Sequence, residues 1–186
     1  MSKSIVVSGP PAIGKTTVAK GLAKEFNLNY LSGGDILKEL ASEEGFSSSG
    51  DDWWDTEDGM KFLNQRKENS EFDKKVDEKL IQLFQKGDVV ITSYTLPWLI
   101  DNGIKLWLDG TVENSAKRMQ NRDNMDESSA LEVVNKRFNE NKLIYKNLYN
   151  FEFGGDLSVF DKIIKTDGIN ADQVLEIAKL TVRELL

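Results

Sequence analysis

No cysteine and no histidine occur anywhere in the 186 residues. The first absence removes disulfide frameworks and thiol chemistry. The second removes an imidazole base and histidine-based metal sites. Serine–histidine and cysteine–histidine catalysis are thereby excluded. Positive charge is also short: 24 Lys and Arg stand against 31 Asp and Glu, a formal net charge of −7. Such a chain carries no general footprint for nucleic acid, so any phosphate it binds must be held by local groups. No apolar run approaches the roughly 20 residues of a membrane span, nothing resembles a signal peptide, and there is no internal repeat. The expectation is one cytoplasmic domain over residues 1–186, a monomer without nucleic-acid or membrane partners, with 39% hydrophobic residues for a core.

What the chain does have is Gly9-Pro10-Pro11-Ala12-Ile13-Gly14-Lys15-Thr16, which fits G-x-x-x-x-G-K-[ST] at every defined position. The context gives the letters their force. A buried strand, Ser4-Ile5-Val6-Val7-Ser8, runs into it, and a helix from Thr16 to Lys24 runs out. Backbone N–H groups of such a loop point inward as an anion nest, and the helix N-terminus adds partial positive charge. Gly9 and Gly14 permit close backbone approach and φ angles that a side chain forbids. Lys15 reaches the β- and γ-phosphates, and the Thr16 hydroxyl can ligate Mg²⁺. The stretch Gly9 to Thr17 is therefore the expected site for ATP and Mg²⁺.

Further along, the first helix carries Val18, Ala19, Leu22, Ala23 and Phe26 on one stripe. A short strand, Asn29-Tyr30-Leu31, leads to Ser32-Gly33-Gly34-Asp35 and a helix through Ile36, Leu37, Leu40 and Ala41. Asp35 reads either as the helix N-cap or as a ligand to substrate hydroxyls or metal-bound water. Residues 45–70 change character. Gly45 to Gly50 is a hinge signal, and the acidic run around Trp53 and Trp54 reads as a mobile flap or as a surface helix whose tryptophans pack on the body. The helix Glu71 to Gln85 turns Phe72, Val76, Leu80, Leu83 and Phe84 inward. Its Asp73 and Asp77 share a face, where Lys74, Lys75 and Lys79 supply solvated partners.

Val89-Val90-Ile91 and Ile104 to Leu108 read as buried strands. Strands alternating with helices imply right-handed βαβ units and a parallel sheet. In such a sheet Thr92-Ser93-Tyr94-Thr95 faces the phosphate loop, since ligands gather at the carboxyl ends of strands. Arg118 and Arg122 lie four apart on a helix starting near Thr111. A second helix, from Asp126-Glu127, carries Arg137, Lys142, Tyr145, Lys146 and Tyr149. Arginine suits a transferring phosphoryl group because its fork matches phosphate oxygens; surface arginines in i,i+4 pairs are the competing reading. A strand from Phe160 to Lys165, a turn at Thr166-Asp167-Gly168 and a helix from Ala171 to Leu185 end the chain.

This order of parts resembles the nucleoside monophosphate kinases, and more closely the archaeal type of cytidylate kinase. The matching residues are Gly9 to Ala19, Ser32-Gly33-Gly34-Asp35-Ile36 with Glu39-Leu40-Ala41, Phe72 to Asp77, Arg118 with Arg122, Arg137, the Tyr145/Tyr149 pair, and Asp156 to Asp161. The resemblance implies a P-loop NTPase fold, a five-stranded parallel sheet flanked by helices. It also implies a monophosphate-binding flap at about 45–86 and a lid at about 118–149. The implied activity is ATP–Mg²⁺-dependent transfer to a nucleoside monophosphate, CMP or dCMP. Lys15, Arg122 and Arg137 would act on the transferring group, with Arg118 nearer the donor nucleotide. Asp35, Lys38, Asp73, Asp77 and Tyr94 would serve the acceptor.

The chain departs from the family pattern in three places. Thr92-Ser93-Tyr94 stands where Glu-Gly-Arg is usual, Lys38 where an arginine is usual, and Ile144 where an arginine precedes the first lid tyrosine. A Tyr94 hydroxyl donates one neutral hydrogen bond to phosphate, weaker than a charged bidentate pair. Two alternatives follow from the altered acceptor side. One is a kinase for another small metabolite, with Asp35 as carboxylate base for a hydroxyl acceptor. The other is a catalytically degenerate nucleotide-binding regulator.

Overall fold

The computed structural model describes residues 3–43, 45, 46, 56, 57, 59, 61, 62, 64 and 71–186. Five strands form a single parallel sheet: β1 (Ser4–Ser8), β2 (Asn29–Ser32), β3 (Val89–Thr92), β4 (Ile104–Asp109) and β5 (Lys162–Lys165). Their order is β2-β3-β1-β4-β5. β1 pairs on one side with β3, Val6 opposite Ile91, and on the other with β4, Val7 opposite Leu106. The chain thus lays β2 and β3 on one side of β1 and then crosses to lay β4 and β5 on the other. That reversal opens a crevice at the carboxyl end of β1, where the phosphate loop begins.

The sheet is covered on both faces, which is why β1 is buried at every position. Ile5 and Val7 face the helices α1 (Lys15–Phe26) and α7 (Ala171–Leu185), in a core with Leu22, Leu106, Leu108, Val174 and Val182. Val6 points to the other face, against α2 (Gly33–Glu43) and α3 (Glu71–Lys86), through Ile36, Leu37, Val76, Leu80 and Phe84. Truncating a fully buried leucine such as Leu80 costs about 2–5 kcal/mol. The short helix α4 (Leu96–Leu99) follows β3, and α5 (Val112–Asp123) and α6 (Glu127–Tyr149) join around Ala116, Met119, Ala130 and Val134. Thr111 and Asp126 cap these two helices, each side chain accepting from the backbone N–H three residues on. A separate aromatic cluster gathers Trp98, Trp107, Phe151, Phe153 and Phe160 beside β4; Trp98 stacks on Phe151 with ring centroids 4.5 Å apart.

Local structure differs from the sequence reading in two places. Asp35 is not the cap of α2. Ser32 is, its Oγ accepting from the Asp35 N–H at 3.4 Å, and Asp35 falls inside the first turn. β5 begins at Lys162 rather than Phe160, because the Phe160 N–H turns back to the Leu157 carbonyl at 3.1 Å and its ring joins the aromatic cluster. Trp53, Trp54 and most of the 45–70 stretch lie outside the described residues. Of its described part, Phe62 is buried between Phe46 and Phe72. Among the described residues, no helix is long and apolar enough to cross a membrane.

Candidate active site

The loop between β1 and α1 turns on backbone angles that its glycines supply. Gly9 has φ 149° and Gly14 φ 102°, and a Cβ on Gly9 would stand 2.5 Å from the Leu108 carbonyl oxygen. The loop therefore lies flat on the end of β4 as only glycine allows. Gly14 precedes the first helical residue, so the free N–H groups of α1 open towards the crevice.

That crevice has a volume of about 620 Å³. Ala12 to Thr17 line one side; Asp35, Lys38, Asp73, Asp77 and Tyr94 line another; Arg118, Arg122 and Arg137 close a third. One cavity thus collects the lysine, the arginines and the acceptor-side residues singled out in the sequence. Gly9, Pro10 and Pro11 are not on its surface; Gly9 and Pro10 serve it through their carbonyls.

Lys15 is half-buried and bends back over the loop. Its Nζ donates to the Gly9 carbonyl at 3.0 Å and to the Pro10 carbonyl at 2.6 Å. Burial pulls its pKa below the usual lysine value; Tyr94 opposes the shift, and the charge of Arg137 adds to it. Thr16 and Thr17 are exposed at the start of α1.

The three arginines are placed differently. Arg118 is tied into the scaffold: NH1 donates to the Ile13 carbonyl at 2.5 Å, and NH2 to the Thr166 carbonyl at 3.1 Å. It joins the phosphate loop to the turn after β5. Arg122 is half-exposed and forked onto its neighbour Asp123, with Nε to Oδ1 at 2.5 Å and NH2 to Oδ2 at 2.5 Å. Arg137 projects from α6 into the crevice near Lys15.

On the crevice wall formed by α3, Asp73 and Asp77 are buried, 5% and 4% exposed. This corrects the solvated lysine pairing of the sequence reading. Lys79 instead reaches Glu39 on α2 at 3.2 Å. Asp77 takes the Thr95 hydroxyl on Oδ1 and the Tyr149 hydroxyl on Oδ2 at 2.7 Å. Burial first, and then the Asp77 charge, push the Tyr149 phenol well above its ordinary pKa. Lys38 lies 3.8 Å from Asp35. Tyr94 packs edge-on to Phe153 with centroids 5.2 Å apart, and Lys15 Nζ sits 4.6 Å from the centre of its ring.

Sequence reasoning did not find Thr95 and Tyr149 as the partners of Asp77, nor Thr166 as that of Arg118. Tyr149 is 72 residues from Asp77, and no local spacing signals such a pair. Asn141, which accepts from the Tyr145 hydroxyl at 3.3 Å on the crevice wall, was equally silent.

Comparison with known proteins finds relatives over nearly the whole chain. The family model described as AAA domain matches residues 8–114. A cytidylate kinase of Sulfurisphaera tokodaii is 32% identical over 98% of this chain and 96% of that protein. One of Methanocaldococcus jannaschii is 31% identical over 97% of this chain and 98% of that protein. Among solved structures, shikimate kinase from Bacteroides thetaiotaomicron superposes with a TM-score of 0.59 at 15% identity, covering 100% of this chain and 98% of that one. That likeness concerns the fold.

Proposed function

The chain belongs to the cytidylate kinase family, and we propose that it transfers the γ-phosphoryl group of ATP–Mg²⁺ to the phosphate of CMP or dCMP. One observation carries this reading: a phosphate loop, the arginines Arg122 and Arg137 and a pair of buried carboxylates line a single crevice. An acceptor phosphate oxygen is ionised at neutral pH and attacks without a general base, which suits a chain without histidine. The new O–P bond forms as the bond from the γ-phosphorus to the bridging oxygen breaks, and ADP leaves with that electron pair. The protein's part is positioning and neutralising charge.

Lys15 exchanges its two backbone carbonyls for phosphate oxygens. Arg137, and Arg122 once released from Asp123, act on the charge of the moving group. Asp73 and Asp77 accept from an exocyclic amine, as on cytosine, and repel the carbonyl that uracil presents there. Lys38 and Tyr94 supply the donors to the acceptor phosphate. Mg²⁺ fits this donor set as a substrate-borne ion. Among the described residues no cluster of three or more acidic side chains could cage a metal. Thr16 offers one exposed hydroxyl beside the expected phosphates, and Mg²⁺ is commonly held by such a ligand together with phosphate oxygens and waters.

A coupled ADP-release assay against CMP, dCMP, UMP, AMP and small alcohols tests the reading. CMP and dCMP should give the fastest turnover, with a high KM because the acceptor phosphate lacks a guanidinium fork. ADP release with no monophosphate would overturn it, and release only with a hydroxylic acceptor would assign the acceptor role to Asp35.

A further inference from the structure

The contact between Lys15 and Tyr94 is not explained by either residue's role above. A lysine ammonium carries three N–H donors on a flexible stem. Two of those at Lys15 meet the Gly9 and Pro10 carbonyls. Across from them lies the face of Tyr94, its centre 4.6 Å from Nζ, well within the range of attraction between a cation and an aromatic ring. Arg137 brings a like charge to the same place, so a group that favours the ammonium there offsets a repulsion.

The ring is held still from both ends. Its faces and edges meet Phe153 at 5.2 Å and Tyr145 at 6.3 Å between centroids. Its backbone is pinned to the phosphate loop's own strand: the Ser93 N–H donates to the Val7 carbonyl at 3.3 Å. The Ser93 Oγ then accepts from the N–H groups of Thr95 at 3.2 Å and Leu96 at 3.1 Å. The Tyr94 ring is therefore fixed in the frame of β1, from which Lys15 also hangs.

We infer that Tyr94 is a positioning residue for Lys15: its ring holds the ammonium over the phosphate loop before ATP–Mg²⁺ arrives. A lysine already confined to one arrangement loses less rotamer freedom on taking up phosphate oxygens. The Tyr94 hydroxyl also interacts with the ammonium in the ligand-free protein, so the ring is the part of the side chain that stays with the donor side when the hydroxyl turns to the acceptor phosphate. This rests on the kinase reading for its consequence in turnover, but not for the contact itself.

Two substitutions separate the halves of the side chain. Tyr94→Phe keeps the ring and removes the hydroxyl; Tyr94→Leu removes both. With CMP as acceptor, Tyr94→Phe should raise the acceptor KM and lower kcat less than Tyr94→Leu does. Tyr94→Leu should lower kcat about tenfold relative to Tyr94→Phe, between the exposed and the desolvated values for a cation–ring contact, and weaken ATP–Mg²⁺ binding in calorimetry. The contact itself is read by NMR of ¹³C-lysine-labelled, ligand-free protein, with Lys15→Arg assigning the resonance. The Lys15 ε-methylene should be shifted upfield by the ring in wild type and Tyr94→Phe, and return to the ordinary position in Tyr94→Leu. No upfield shift in the wild type overturns the inference, even if the Leu variant does not fold. So does a Tyr94→Leu enzyme that binds ATP–Mg²⁺ and turns over like Tyr94→Phe. If wild type phosphorylates no monophosphate, the functional reading fails, while the NMR shift and the ATP–Mg²⁺ titration still decide the role of Tyr94.

Discussion

The two sides of the crevice are built on different principles. On the donor side, the backbone makes the site. Gly9 and Gly14 hold the loop in backbone angles that favour glycine, and the cations there rest on carbonyls of the loop itself: Lys15 on Gly9 and Pro10, Arg118 on Ile13. On the acceptor side, side chains hold one another. Asp77 is bonded to Thr95 and Tyr149, which arrive from different elements. A backbone-built site tolerates changes around it and fails when its one central charge is removed. A site built of side-chain pairs gives way by degrees.

The largest expected effect falls on the donor side. Lys15→Ala should lower kcat by about a hundredfold to a thousandfold, the range for losing a preorganised group that meets developing charge. ATP–Mg²⁺ affinity should drop sharply in calorimetry, with the melting temperature little changed because the Lys15 side chain is only half-buried. Unchanged nucleotide affinity would remove the donor side from the comparison altogether.

A smaller loss is expected from the arginines. Arg137→Ala and Arg122→Ala should each reduce kcat by more than about tenfold, with KM for either substrate moving less, since the contacts strengthen as charge develops. Arg122 gives the sharper test. Its fork already holds Asp123, so Asp123→Asn should weaken that hold and leave kcat at or above the wild-type value. A fall in kcat for Asp123→Asn equal to that of Arg122→Ala would show that the pair acts as a scaffold.

On the acceptor side the effect is one of discrimination. Asp77→Asn keeps the shape but turns one acceptor into a donor. The ratio of kcat/KM for UMP over CMP should rise about fivefold, the worth of one ordinary hydrogen bond of about 1 kcal/mol. An unchanged ratio would leave base selection to Asp73.

The same division governs what the sequence could tell. The donor side was legible because its chemistry is fixed by neighbours in the chain: Gly9 to Thr16, a strand before and a helix after. The sheet was legible for a similar reason, as Ile5, Val7, Val90 and Leu106 sit in short apolar runs bounded by turns. The acceptor side was legible only in part. Asp73 and Asp77 stood out by their shared helix face. Their burial did not, because it depends on α6 bringing Tyr149 across, and because Lys79, on the same helix, is drawn to Glu39 instead. Of the two readings of Asp35, cap or ligand, the cap falls away because α2 starts at Gly33, a boundary of one or two residues that propensity does not resolve. Arg118 was expected near the donor nucleotide, and its hold on Thr166 joins elements 48 residues apart.

The smallest effect tests how the acceptor side is held together. The Tyr149 hydroxyl donates to Asp77 at 2.7 Å, while its ring stacks on Phe151 with centroids 6.2 Å apart. Tyr149→Phe keeps the stack and removes only the hydrogen bond. Asp77 retains Thr95, and Tyr149 is half-exposed, so the loss of stability at neutral pH should be only about 1 kcal/mol in urea unfolding. The pH dependence identifies its origin. Burial and the Asp77 charge raise the folded-state phenol pKa above its ordinary 10.0. The unfolded chain therefore gives up this proton first. The contribution of Tyr149 to stability is fully present below pH 10 and is lost as the pH climbs above that value, at up to about 1.4 kcal/mol per pH unit for one proton. The Phe variant has no such proton, and every other tyrosine titrates alike in both proteins. The stability gap between wild type and variant should thus be constant from about pH 7 to about pH 9 and close above pH 10. No gap at any pH would mean that Tyr149 stabilises the acceptor side through its ring alone, and that the buried carboxylate is held by Thr95.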